Sequence, residues 1–186
     1  MEPLGPEPLD PSVAPGAHIW GWMSPDELWW LHETAKTMDS IVEVGSLRGR
    51  SAYALLSGCP GPVYCIDPWN DEGEHAYPAF MGDCGHFPNL VAVKGYSPQV
   101  IAAHAIPDVD MVFIDGNHDE AQVRADIAAW LPKTRRLICG HDYSLSPAAG
   151  FPDVRKVVDE VFGDRVRNAD FTDSDFERYS IWAVDV

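Results

Sequence analysis

Residues 41–51 read Ile-Val-Glu-Val-Gly-Ser-Leu-Arg-Gly-Arg-Ser, and this stretch decides the fold. The first four form a short strand, because β-branched side chains suit a pleated, buried backbone. Gly45 breaks the run, and the spacing predicts a helix over 50–56. A strand that passes through glycine into a helix begins a βαβ unit. Glycines here let a ligand approach the backbone, and the next helix start offers free N–H groups. The spacing is GxxxG rather than the GxGxxG of dinucleotide folds. Strand–glycine–helix turns also arise for packing alone, so the turn by itself does not name a ligand.

Downstream, short apolar runs at 63–66, 90–93, 111–114, 137–139 and 180–184 repeat the strand signal, with a weaker one at 165–168. Between them, Val123, Ile127 and Trp130 mark a helix over 120–130. Val154, Val157, Val158, Val161 and Phe162 mark another. Doubly apolar strands alternating with helices predict an α/β, Rossmann-like, doubly wound fold. Its sheet is mostly parallel, of about seven strands, with helices on both faces. Upstream, Ser24-Pro25-Asp26-Glu27 is a capping box with proline at the first helical position. Leu28, Leu31, Ala35 and Met38 continue that helix along one apolar face.

Residues 1–16 carry five prolines and two glycines and read as a flexible arm. Residues 17–186 read as one domain, opened by an N-terminal helix region at 17–40. The stretch 69–89 is poor in helical periodicity and reads as a substrate-site loop, roofing the site with Tyr143 and Phe151. Trp20, Trp22, Trp29 and Trp30 crowd the N-terminal region. They suit packing on the core, a homodimer face or a wall of the substrate site.

With 186 residues the chain is long enough to bury a core without staples. Its 29 acidic and 13 basic residues leave a net charge of −16. Such a surface repels phosphate, so no nucleic-acid partner is expected. No apolar run approaches 18 residues and no basic leader is present, so neither a membrane span nor secretion is expected. These features predict a cytoplasmic protein. The four cysteines show no CxxC pair.

In a doubly wound sheet, ligands bind beyond the carboxyl ends of the strands. Asp67 ends the second strand, 22 residues after Gly45, where a carboxylate can hold ribose hydroxyls. Lys94-Gly95-Tyr96-Ser97 follows the third strand, Asp115-Gly116-Asn117-His118-Asp119 the fourth, and Gly140-His141-Asp142-Tyr143 the fifth. Oxygen-rich clusters suit magnesium, and a histidine ligand shifts preference toward manganese, iron or zinc. Each piece alone would also serve as a helix cap or surface turn. Their gathering at the strand ends points to a site.

In order along the chain, IVEVGSLRGRSAYAL, VYCIDPW, FIDGNHDEAQVRADIAAWL, LICGHDY, FPDVRKVVDEVF and SIWAV resemble the class I S-adenosylmethionine (SAM)-dependent methyltransferases. The likeness is nearest to the small-molecule O-methyltransferases of the macrolide-sugar and cephalosporin type. The resemblance implies SAM as cofactor and a small polar acceptor, with magnesium or manganese assisting. It assigns Glu43, Gly45 and Ser46 to the methionine part, with Gly49 and Ser51 completing the loop and Asp67 on the ribose. Ser97 would meet the adenine edge. Asp115 would border the cofactor and hold the metal with Asp142, and His118 would be the general base. His141 departs from the acidic residue usual there, and would serve as metal ligand or second base. Other readings of the same residues are a non-catalytic SAM-binding module, a metal-dependent hydrolase and a nicotinamide-dependent dehydrogenase.

Overall fold

A computed structural model describes residues 13–70, 75–143, 152–170 and 180–186. Seven strands lie in one sheet: β1 (Ile41–Val44), β2 (Val63–Asp67), β3 (Leu90–Lys94), β4 (Val109–Ile114), β5 (Thr134–Gly140), β6 (Arg167–Asp170) and β7 (Ser180–Asp185). Their order is β3-β2-β1-β4-β5-β7-β6. The first five are parallel, and β7 runs antiparallel to both β5 and β6. The chain steps outward from β1 to β3, then returns to lay β4 on the other side of β1. That reversal makes the β1/β4 junction the topological switch point, where the carboxyl ends leave a crevice.

Side chains alternate across the sheet with period two. Ile41, Met111 and Phe113 face a layer that includes Leu28 and Leu31 of α1 (Pro25–Ala35), Leu55 of α2 (Arg50–Gly58) and Phe80 of α3 (Ala76–Cys84). Val42, Val44, Val112 and Ile114 face the other layer, where α4 is Val100–His104, α5 is Glu120–Trp130 and α6 is Pro152–Phe162. Trp130, Val157 and Trp182 are wholly or almost wholly buried there. Truncating a core leucine such as Leu28 or Leu55 to alanine costs about 2–5 kcal/mol.

Two expectations change. A helix, α3, crosses the stretch read as a loop, and Pro78 fits inside its first turn. Its periodicity was masked because Tyr77 and Met81 are apolar yet partly exposed, while Ala76, Phe80 and Cys84 form the buried stripe. A short helix, α4, also follows β3. Within the arm, residues 1–12 lie outside the described residues, but Ala14 is buried in the α1–α3 layer. Among the described residues, no helix is long and apolar enough to cross a membrane. All four cysteines are free and buried.

Candidate functional site

The crevice opens into a cavity of about 980 Å³ whose walls include the ends of β1, β2, β4 and β5. Gly45, with φ +91°, makes the junction fit. A Cβ there would lie 2.0 Å from the Asp115 carbonyl oxygen, so the β1 and β4 ends approach only because the residue is glycine. The Gly45 N–H donates to Ile66 O at 2.9 Å, and the Asp115 N–H donates to Val44 O at 2.8 Å. Gly49 serves packing instead: its missing Cβ makes room for Cys84 Sγ and Phe80 of α3.

Asp67 is braced by backbone. Its Oδ2 accepts from Leu47 N at 2.9 Å and its Oδ1 from Trp69 N. Leu47 and Trp69 both have left-handed backbone, and the Trp69 indole donates to Leu47 O at 2.8 Å. Non-glycine residues in that region cost about 1–3 kcal/mol each, and persist where surroundings over-determine them. The result is a fixed carboxylate on the cavity wall beside Ser46.

Glu43 lies beneath this wall, fully buried. Its Oε2 accepts from Ser46 Oγ at 2.5 Å, while Oε1 has no hydrogen-bond partner. Burial pushes its pKa up to about 7, against the opposing hydrogen bond of Ser46. An unpartnered carboxylate oxygen is costly, and a ligand's donor would relieve it. Ser46, Ser51 and Asp67 all line the cavity above it.

Ser97 also lines the cavity, but its hydroxyl is engaged. It donates to Asp126 Oδ1 at 2.6 Å and accepts from Trp130 Nε1 at 2.8 Å. Gln122 donates to Ser97 O and to Asp126 Oδ2, closing a network in which burial raises the Asp126 pKa. Asp126 and Gln122 are cavity residues that the sequence reading passed over as ordinary positions of an amphipathic helix.

At the other end stand Asp115, His118, His141 and Asp142. His118 Nε2 lies 2.7 Å from Asp142 Oδ2 and 3.7 Å from Asp115 Oδ1. His141 Nδ1 lies 3.4 Å and 3.7 Å from the same two oxygens. Asp142 has φ +63°. Burial opposes charge on all four groups, yet their mutual attraction wins. His118 rises to about 9 and His141 well above its ordinary value, while both carboxyls are held low. Asp115, His118 and Asp142 present ligand atoms within 4.8 Å of one another. Two carboxylates with imidazole nitrogen form a donor set that fits a divalent cation.

The sequence-predicted residues thus gather around one cavity, apart from Glu43 beneath it and Gly49 behind it. Among the described residues, none of 75–89 lines that cavity. Tyr143 turns away, its hydroxyl donating to Asp159, and Phe151 lies outside the described residues. The tryptophans divide: Trp29 and Trp30 pack on the core, whereas Trp20 and Trp22 stand exposed on the cavity wall. Arg50 holds that wall. Its Nε donates to Met23 O at 2.9 Å, and Nη1 donates to Ala17 O at 2.9 Å and to Ile19 O. Glu27, read only as a helix cap, reaches His141.

A family model described as a methyltransferase domain matches residues 42–143. No curated protein sequence matches significantly. Among solved structures, the chain is similar to an O-methyltransferase from Bacillus cereus in complex with SAH, at 20% identity and a TM-score of 0.69, covering 89% of this chain and 83% of that one. It is also similar to TomG, an O-methyltransferase of tomaymycin synthesis from Streptomyces achromogenes, in complex with SAM. There the identity is 17%, the TM-score 0.69 and the coverage 89% and 82%. The N-methyltransferase NodS from Bradyrhizobium japonicum follows at 11% identity and a TM-score of 0.63, covering 86% and 92%. At these identities the likeness carries the fold.

Proposed function

The chain belongs to the methyltransferase-domain family, and on that footing we propose that it transfers the methyl group of SAM to an oxygen of a small polar acceptor. One observation carries this reading. A fixed ribose-type carboxylate, Asp67, and an acid–imidazole cluster open into the same cavity. The solved O-methyltransferases that it resembles include ones bound to SAM or SAH, which supports SAM as the cofactor.

The buried, unpartnered Glu43 oxygen and the Asp67 carboxylate fit SAM. Asp67 would accept ribose hydroxyls, while Glu43, Gly45, Ser46 and Ser51 would border the methionine part. Asp115, whose backbone carbonyl meets Gly45, would border the cofactor from the acid–imidazole end. When bound, SAM supplies a methyl group already activated on its sulfonium. The protein is left to align an acceptor oxygen and remove its proton. Asp115 and Asp142 would hold a divalent cation such as magnesium or manganese, with His141, whose Nδ1 lies 3.7 Å and 3.4 Å from their oxygens, as the nitrogen ligand in place of His118. That cation would supply Lewis acidity at the acceptor hydroxyl and cancel the carboxylate field that keeps His118 protonated. His118 would then accept the proton.

Exposed Trp20 and Trp22 would form one acceptor wall. A cytoplasmic setting and a homodimer through the tryptophan-rich end are compatible with this reading. The test is methyl transfer from labelled SAM across a panel of hydroxylated acceptors. His118→Ala should cut turnover about 10²–10⁴-fold while SAH affinity stays within a few-fold. An equal loss of SAH binding would make His118 a structural residue instead.

A further inference from the structure

Helix α1 places one side chain behind the acid–imidazole cluster. Glu27 is wholly buried, and its two carboxylate oxygens do different work. Oε2 accepts from the Ser24 N–H at 2.8 Å and from Ser24 Oγ at 3.0 Å, closing the capping box. Oε1 lies 3.1 Å from His141 Nε2. On the far side of that ring, Nδ1 faces Asp115 and Asp142, whose oxygens also face His118.

A capping box needs one acceptor, and glutamine serves as well as glutamate at that position. Capping therefore does not account for a buried carboxyl group whose second oxygen meets an imidazole. When the ring is neutral, as a metal ligand must be, a carboxylate on one ring nitrogen fixes the tautomer: Nε2 carries the proton, and the Nδ1 lone pair is left pointing the other way. Histidines that bind metals typically donate their other N–H to such an outer carboxylate.

We propose that Glu27 is a positioning residue, which holds His141 so that its Nδ1 lone pair joins Asp115 and Asp142 around a divalent cation. The inference rests on the cation reading given under Proposed function and names the residue that would make His141 a ligand. Glu27 lies outside the matched segment 42–143, so the family match does not speak to it. With a nitrogen added to two carboxylates, the site prefers manganese over magnesium.

The test is titration with Mn²⁺ alone, followed by the electron paramagnetic resonance signal of the free ion, with Mg²⁺ as competitor. Wild type, Glu27→Gln and Ser24→Ala are compared, and SAH affinity is measured for each. A glutamine that keeps the cap turns its amide N–H toward Nε2. That favours the tautomer with its proton on Nδ1, which cannot ligate. Glu27→Gln should weaken Mn²⁺ binding about 10–100-fold and leave SAH affinity unchanged. Ser24→Ala, which loses the cap hydroxyl but keeps the contact to His141, should bind Mn²⁺ within two-fold of wild type. Unchanged Mn²⁺ affinity in Glu27→Gln overturns the proposal alone. An equal loss in Ser24→Ala overturns it too, by making the effect one of helix stability. A wild type that binds SAH but no Mn²⁺ overturns the cation reading, and the proposal with it.

Discussion

The two ends of the cavity are built in different ways. At the Asp67 end the groups are held by backbone: the amides of Leu47 and Trp69 fix Asp67, and Gly45 sets the approach of two strands. At the His118 end side chains hold one another, and one of them, Glu27, comes from a helix 114 residues earlier in the chain than its partner. A backbone-built region is rigid whatever occupies it. A region built from opposed charges depends on its occupant, because each group's pKa is set by its neighbours.

That contrast can be broken first at the seam. Gly45→Ala would place a Cβ 2.0 Å from the Asp115 carbonyl and force an unfavourable φ. It should cost about 3–5 kcal/mol in denaturant unfolding, and a smaller loss would mean that the two strand ends can part.

Glu43 bears on the same comparison, since its carboxyl is wholly buried under the backbone-built end. Its folded pKa is raised from 4.5 to about 7, so the folded state binds the proton more tightly than the unfolded state. Stability should therefore fall as pH rises from about 4.5 to about 7, by about 3 kcal/mol in all. Glu43→Gln should flatten the part of that fall between pH 5 and pH 6.5, as read from unfolding curves at those two values, while the raised His118 and His141 give both proteins a further fall at higher pH. An unchanged slope would show the carboxyl to be better solvated than its burial implies.

Ser97→Ala is the mildest change. It takes a donor from buried Asp126 and an acceptor from Trp130, and should cost about 1–3 kcal/mol. A loss of SAH affinity larger than the loss of stability would return Ser97 to direct contact with the cofactor.

The same contrast explains what the sequence made legible. The strands, the capping box at Ser24 and the polar strand ends depend on short-range patterns, and each appears where its residues predict. Gly49 proved to serve α3, because glycine spacing cannot distinguish a ligand from a neighbouring helix. Helix α3 was hidden by its own partly exposed Tyr77 and Met81. The link from Glu27 to His141 has no local signature, since a cap glutamate looks the same whether or not its second oxygen is used. Asp126 and Gln122 likewise looked like ordinary positions of α5.

The proposed methyl transfer turns on whether the Asp67 end of the cavity binds SAM or its product. Calorimetric titration with SAH, with and without Mg²⁺ or Mn²⁺, tests it most directly, with Asp67→Ala beside the wild type. The expected result is micromolar binding by the wild type under both conditions and its loss in Asp67→Ala. Absence of wild-type binding under both would contradict it, and would leave the acid–imidazole end to be explained by metal-dependent hydrolysis.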